Sequence, residues 1–218
     1  TNSDIMLIAV WEKVALERIE IVTYPDKIDY FKGDMLDTTG LTLRATYNDG
    51  TTKTIASGFA CSPTSLNTVG TQTITVSYGG KTATFIVAVH DIVLNSISVA
   101  TLPVKTDYYE GDTLDETGLT LRASYNNGTT KIITSDFICS PFVLDTVGTQ
   151  TITVSYDLKL TYFTVQVHPV ELESISIASD PRKTSYNVGD WLDTTGLTLI
   201  ATYNNGTTET ITSGFTCS

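Results

Sequence analysis

Three pairs of carboxylates recur along the chain at one fixed spacing: Asp34 and Asp37, Asp112 and Asp115, Asp190 and Asp193, each in the order Gly-Asp-x-x-Asp. Two chemistries come to mind. A pair of aspartates could help hold a calcium ion, which takes roughly six to eight oxygen ligands. A pair could also supply the acid and base of glycoside hydrolysis. Neither has the rest of what it needs: two carboxylates are too few for calcium, nothing around them matches an EF-hand loop, and a small β unit offers no cleft. Hydrogen bonds from these side chains to nearby backbone, closing a turn, account for the pattern better. The chain's two histidines, His90 and His168, could bind a metal or sense pH, with Asp91 beside the first. Pro169 stands where that aspartate would recur, and a histidine without a fixed partner reads as structural. No nucleophile elbow and no glycine-rich phosphate loop ahead of a helix is present, so the residues form no catalytic constellation. The expectation is a protein that is not an enzyme and has no cofactor and no metal.

The spacing that relates these residues is 78, as in Gly33, Gly111 and Gly189, and it runs through the whole chain. Pro25 returns as Pro103 and Pro181. The run Thr-Val-Gly-Thr-Gln-Thr-Ile-Thr-Val-Ser-Tyr ends at Tyr78 and again at Tyr156. A long fixed period marks an array of like units. The expected division is 1–14, a terminal strand of a preceding module plus linker; 15–92, the first repeat; 93–170, the second; and 171–218, a third that is incomplete. This reading expects the natural protein to extend upstream, and either to continue past Ser218 or to have its third repeat completed by a strand from elsewhere.

The elements that must position these residues are strands. Leu41, Leu43, Ala45 and Tyr47 alternate with Thr42, Arg44 and Thr46, and Ile74, Val76 and Tyr78 alternate with Thr73, Thr75 and Ser77. Period two with one apolar face is the mark of a half-buried strand. Asn48-Asp49-Gly50 and its counterparts Asn126-Asn127-Gly128 and Asn204-Asn205-Gly206 suit tight turns, as does Gly79-Gly80. Asp157-Leu158 replaces that glycine pair in the second copy, which predicts a longer or bulged hairpin there. Six or seven short strands per repeat, with no convincing amphipathic helix, predict a two-sheet sandwich. Tyr30, Tyr108 and Tyr186 are expected in the core with the hydroxyl near the rim.

One cysteine falls in each repeat, Cys61, Cys139 and Cys217, each in a Phe-x-Cys-Ser context. Equivalent positions in successive rigid units lie too far apart for a disulfide, which needs Cα atoms within about 7 Å. Buried free thiols beside a phenylalanine are expected.

The order Leu-x-x-Ile, then Pro-x-Lys-x-x-Tyr-x-x-Gly-Asp-x-Leu-Asp-x-Thr-Gly-Leu-x-Leu-x-Ala-x-Tyr-Asn-x-Gly-Thr, followed by Val-Gly-Thr-Gln-Thr-Ile-Thr-Val-Ser-Tyr, resembles the bacterial immunoglobulin-like domain, group 3. It spans Leu94 to Tyr156 in the second copy and Leu16 to Tyr78 in the first. The resemblance implies an all-β fold of tandem Ig-like β-sandwich domains, on secreted or surface-anchored bacterial proteins, most often Gram-positive, and it brings no catalytic residues. Some Ig-like surface domains form a Lys–Asn isopeptide bond by themselves. Lys27, Lys105 and Lys183 with Asn48, Asn126 and Asn204 supply the residue types, but lysine is almost never buried without a special reason. Ser3 to Trp11 resembles the closing strand of an internalin-type B-repeat; the same residues also fit the last strand of a preceding Ig-like copy.

The joints Val89–Leu94 and Val167–Leu172 are short and lack a Gly/Ser tether, so the sequence predicts an elongated, semi-rigid array. The formal charge of −11 argues against nucleic acid and anionic membrane surfaces as partners. No apolar run approaches the roughly 18 residues of a membrane span. Positions that differ between copies are where a ligand site would sit. Trp191, Phe142 and Tyr109 are the aromatics there, and they are the candidate contacts for a host protein or glycan, although packing against a neighbouring repeat is the plainer use. Strand exchange is a further expectation, with residues 5–11 lent to the incomplete third repeat of another molecule. The resulting expectation is a spacer in an extracellular, cell-surface protein, with an adhesin or carbohydrate-binding accessory module as the competing reading.

Overall fold

The computed structural model describes residues 12–217, and among them every regular element is a strand. The sequence expectations placed on Ser3 to Trp11 lie outside the described residues. The chain divides into two compact units, one up to Val93 and one from Leu94 on.

The first repeat holds β1 (Leu16–Thr23), β2 (Asp29–Phe31), β3 (Asp34–Met35), β4 (Thr42–Tyr47), β5 (Thr52–Ile55), β6 (Ala60–Ser62), β7 (Ser65–Leu66), β8 (Gly70–Tyr78) and β9 (Lys81–His90). They form a three-stranded sheet β1-β4-β5, a four-stranded sheet β2-β9-β8-β6 and a small β3-β7 ladder. The core between the two larger sheets comes from the inward face of each. Ile19, Leu43, Ala45 and Ile55 face Tyr30, Ile74, Val76, Phe85, Val87 and Val89. Each such aliphatic side chain taken out of water stabilises the fold by roughly 1.5–3 kcal/mol. The alternation read from the sequence is the reason: Ile74 and Val76 point in, and Thr73 and Thr75 between them do not. It breaks at Thr46, which is buried, where β1 shifts register between Leu16 and Arg18 against Tyr47 and Thr46.

The second repeat repeats this plan strand for strand. Its members are β10 (Leu94–Thr101), β11 (Asp107–Tyr109), β12 (Asp112–Thr113), β13 (Thr120–Tyr125), β14 (Thr130–Ile133), β15 (Ile138–Ser140), β16 (Val143–Leu144), β17 (Gly148–Tyr156) and β18 (Lys159–His168). The sheets are β10-β13-β14 and β11-β18-β17-β15, with a β12-β16 ladder. Each of these two repeats has nine strands, where six or seven were expected. The β3-β7 and β12-β16 ladders are two residues long, too short to leave a period in the sequence.

The expected longer or bulged hairpin of the second copy is not found. Tyr156 pairs with Lys159 as Tyr78 pairs with Lys81, so both turns have two residues. The chain keeps the turn by placing Asp157 at φ 44° and Leu158 at φ 61°, the left-handed region that Gly79 and Gly80 occupy in the first copy.

The third segment forms one sheet, β19 (Leu172–Ser179), β20 (Thr198–Tyr203) and β21 (Thr208–Ile211), in the order β19-β20-β21. Among the described residues it has no counterpart of the four-stranded sheet. Its inward face is accordingly open. Ile175, which matches Ile19 and Ile97, is 63% exposed where those are 6% and 8%.

Candidate functional site

The recurring polar residues converge on one loop in each copy, the crossing from the first strand to the Leu-x-Leu strand. Proline at position 25, 103 or 181 opens it and Gly-Leu closes it. Inside, Tyr30 is 1% exposed. Its Oη donates to the Lys27 carbonyl at 2.9 Å, with the Asp37 carbonyl at 3.2 Å, and accepts from the Asp37 N–H at 3.1 Å. Lys27 Nζ lies 4.5 Å from the centre of the Tyr30 ring and 3.2 Å from Asp34 Oδ2. Asp34 Oδ2 also accepts from the Phe31 N–H, and Asp37 Oδ1 accepts from both the N–H and the hydroxyl of Thr39.

The same cluster stands in the other copies. Tyr108 Oη bonds the Lys105 carbonyl and the Asp115 N–H, and Lys105 Nζ reaches Asp112 at 3.0 Å. Tyr186, Lys183, Asp190 and Asp193 do likewise. The aspartates therefore close their own turns, as their spacing suggested. Their oxygens meet N–H groups and hydroxyls, and no group of three or more metal-ligating side chains occurs among the described residues.

Those contacts set the charge state of the carboxylates. The Phe31 N–H, and then Lys27, hold the Asp34 carboxyl below its ordinary value of 3.8, and Thr39 does the same for Asp37 through its hydroxyl and N–H. The Tyr109 N–H lowers Asp112 in the same way, and the Asn187 N–H lowers Asp190. A carboxyl whose folded value is depressed stabilises the fold fully above its unfolded value, and that contribution is lost as pH falls through the folded value. Acid denaturation should therefore begin below about pH 3.8, and Asp34→Asn with Asp112→Asn should flatten the loss. A pH series of urea midpoints checks this; an unchanged acid slope in the double variant would contradict it.

The histidines gain the partner that the sequence did not reveal. Nε2 of His90 is 3.2 Å from Asp29 Oδ1, and Nε2 of His168 is 3.3 Å from Asp107 Oδ1. Each imidazole also lies 6.1 Å from an aromatic ring, Phe31 for His90 and Tyr109 for His168. β2 runs parallel to β9, and β11 parallel to β18, which sets Phe31 opposite His90 and Tyr109 opposite His168. A sequence separation of 61 residues hides both pairs. The recurrence of Asp29 as Asp107 was the available signal.

The residue types of an isopeptide bond have separate engagements. Lys27 serves Asp34, whereas the Asn48 side chain accepts from the Ala15 N–H and donates to the Lys13 carbonyl. Asn204 does the same for Glu171 and Pro169.

Cys139 is buried, Cys61 half-buried and Cys217 exposed, so the expectation of buried thiols fails at the third. The sheet that would cover Cys217 has no counterpart among the described residues. Burial, and then the neighbouring Glu116 carboxylate, push the Cys139 thiol up to about 12. The thiolate is the reactive form, so iodoacetamide at pH 8 should alkylate Cys217 first and Cys139 last. Peptide mapping over time reads the order, and equal rates at the two sites would refute it.

The three candidate contact aromatics differ in their surroundings. Tyr109 is half-buried in β11 and tilted against His168. Phe142 is 56% exposed, and its carbonyl accepts from the Leu114 N–H. Trp191 is 93% exposed and belongs to the third segment. No helix among the described residues is long and apolar enough to cross a membrane.

Comparison with known proteins bears on the architecture. The chain is 32% identical to pectate lyase L of Thermoclostridium stercorarium, over 83% of this chain and 16% of that protein. The chain thus spans about one sixth of that relative's length. Among solved structures, domains 1–6 of the surface layer protein SbsC match at 16% identity and a TM-score of 0.34, over 90% of this chain and 32% of that one. Domains 5–6 of SbsC match at 14% identity and a TM-score of 0.21, over 91% and 97%. The model of the bacterial Ig-like domain (group 3) matches residues 23–89, 101–167 and 179–214. Tandem domains of this kind fit a structural module of a surface protein. With three matched segments covering most of its length, the chain belongs to the bacterial Ig-like domain (group 3) family.

Proposed function

We propose that the chain is a non-catalytic spacer in a secreted or wall-attached bacterial protein, and that it holds another module away from the cell. The observation that carries this reading is the Lys–Tyr–Asp loop. Its recurring polar groups, in all three copies, bind one another and their own backbone. Each of these groups has a partner within its own loop, as residues that close a turn do. Repeats whose recurring residues build scaffold supply length and spacing. The joints, Val89–Leu94 and Val167–Leu172, are six residues each and lack a Gly/Ser tether.

A second reading has one specific support. The relative whose name describes an enzyme acting on pectate shares this array in 16% of its length, so the repeats could serve a secreted polysaccharide-degrading enzyme, as spacer or as carbohydrate-binding accessory. Exposed aromatics such as Trp191 and Phe142 could then stack on sugar rings. Binding of the folded chain to an array of glycans, pectate included, and of extracellular-matrix proteins separates the two. The spacer reading expects no saturable binding and unchanged folding in Trp191→Ala and Phe142→Ala. A saturable hit lost in either variant would replace it with the recognition reading.

A further inference from the structure

The first two repeats are internal controls for each other, and six of their differences lie at one end of one sheet. The described residues include three non-glycine positions at positive φ: Asp136 (64°), Asp157 (44°) and Leu158 (61°). All three line a single open depression of about 560 Å³ on the second repeat, together with Ile138 and Leu160. In the first repeat glycines hold the matching places, Gly58, Gly79 and Gly80, each at positive φ. Aspartate tolerates that conformation and leucine does not do so readily. The second copy thus puts side chains at three positions that glycine holds in the first, one of them a leucine, around one patch.

What it gains there is apolar surface. Ile138 pairs across the sheet with Ser155, and Ser155 with Leu160, so the two apolar side chains share a row on the outer face. Tyr162 lies two residues beyond Leu160 on the same face. Ile138, Leu158, Leu160 and Tyr162 are 71%, 99%, 55% and 58% exposed. The matching residues of the first copy are Ala60, Gly80, Thr82 and Thr84. Four changes from small or polar to large and apolar, on one exposed face, serve no core of their own. Exposed apolar patches rimmed by polar groups mark contact sites, and local strain gathers where a contact is made.

The rim identifies the occupant. Asp136 and Asp157 border the patch, and neither has an ion pair among the described residues; Asp136 only accepts from Ser135. Three of its four exposed apolar side chains, Ile138, Leu158 and Leu160, are aliphatic, which suits protein side chains better than sugar rings, whose usual platform is aromatic. A second copy of a chain with charge −11 would bring like charge to this rim. We infer that this end of the second repeat is a docking surface for a protein segment with alternating aliphatic side chains led by Lys or Arg, the cations facing Asp136 and Asp157. The spacer reading does not call for such a surface.

The test uses the whole chain and two synthetic peptides, Lys-Arg-Leu-Thr-Val-Thr-Leu and the same sequence led by Glu-Glu. Titration followed by NMR should shift the amides of Ser155, Leu158 and Leu160 with the basic peptide, and much less with the acidic one. The variant Ile138→Ala, Leu158→Gly, Leu160→Thr, Tyr162→Thr carries the first copy's residues, so its fold is one the chain already uses, and its charge is unchanged. It should bind the basic peptide about tenfold more weakly or worse. Asp136→Asn with Asp157→Asn should abolish the preference for the basic peptide. No shifts at those amides, or equal binding by the fourfold variant, would overturn the inference. Concentration-dependent self-association of the chain that the fourfold variant abolishes would also overturn it, by assigning the patch to a second copy.

Discussion

Replacing Tyr108 by alanine will destabilise the second repeat by about 3–5 kcal/mol, and replacing it by phenylalanine by about 1–3 kcal/mol. The two figures separate two jobs of one side chain. The ring is 1% exposed and belongs to the cluster that includes Leu121, Ile152, Val165 and Val167, so alanine leaves a cavity that β-sheets on both sides cannot collapse to fill. The hydroxyl bonds the Lys105 carbonyl at 3.0 Å and the Asp115 N–H at 3.1 Å. Phenylalanine keeps the ring, and keeps Lys105 Nζ 4.4 Å from its centre, but leaves those backbone groups without the partner that closes the loop. Urea unfolding read by hydrogen exchange at the Ile152 and Val165 amides reports on this repeat alone. The third copy supplies a control: Tyr186 makes the same bonds but is half-buried, so Tyr186→Phe should cost less. If Tyr108→Phe were neutral, the hydroxyl would not hold the loop, and the recurring cluster would lose its structural explanation.

That cluster also shows where sequence reading reaches and where it stops. The long strands were legible because they obey period two over most of their length, as Gly70–Tyr78 does. The turn role of the Gly-Asp-x-x-Asp pairs was legible because the bonds are local: Asp37 reaches Thr39 and Asp34 reaches Phe31. The parallel pairing of β2 with β9, and with it the His90–Asp29 contact, joins residues about 60 positions apart and leaves no periodic trace. The second hairpin misled for a different reason. Propensity expects Leu158 to avoid the left-handed region, but register fixed by the nine residue pairs of β17 and β18 overrides a local preference of about 1–2 kcal/mol. Of the three aromatics singled out, Trp191 and Phe142 are exposed while Tyr109 leans on His168. Exposure follows from which sheets cover a position, and that is a tertiary property.

The same residue at the same repeat position should respond to truncation very differently in the second and third copies. Ile97→Ala is expected to destabilise the second repeat by about 2–5 kcal/mol, and Ile175→Ala to change stability by no more than about 0.5 kcal/mol. Both isoleucines pair with an alanine, Ala123 and Ala201, on strands of the same register. Local propensity and cross-strand neighbours are therefore matched, and what differs is the opposing sheet. Ile97 is 8% exposed beneath Phe163, Val165 and Val167 of β18, and Ile175 is 63% exposed with no such sheet over it among the described residues. Removing methylenes from a closed core costs both transfer energy and a cavity; removing them from an open face costs neither in full. Urea midpoints with exchange read separately at Ala123 and Ala201 decide the matter. Equal losses in the two variants would mean that Ile175 is covered in solution, and would turn attention to what lies over β19 and β20.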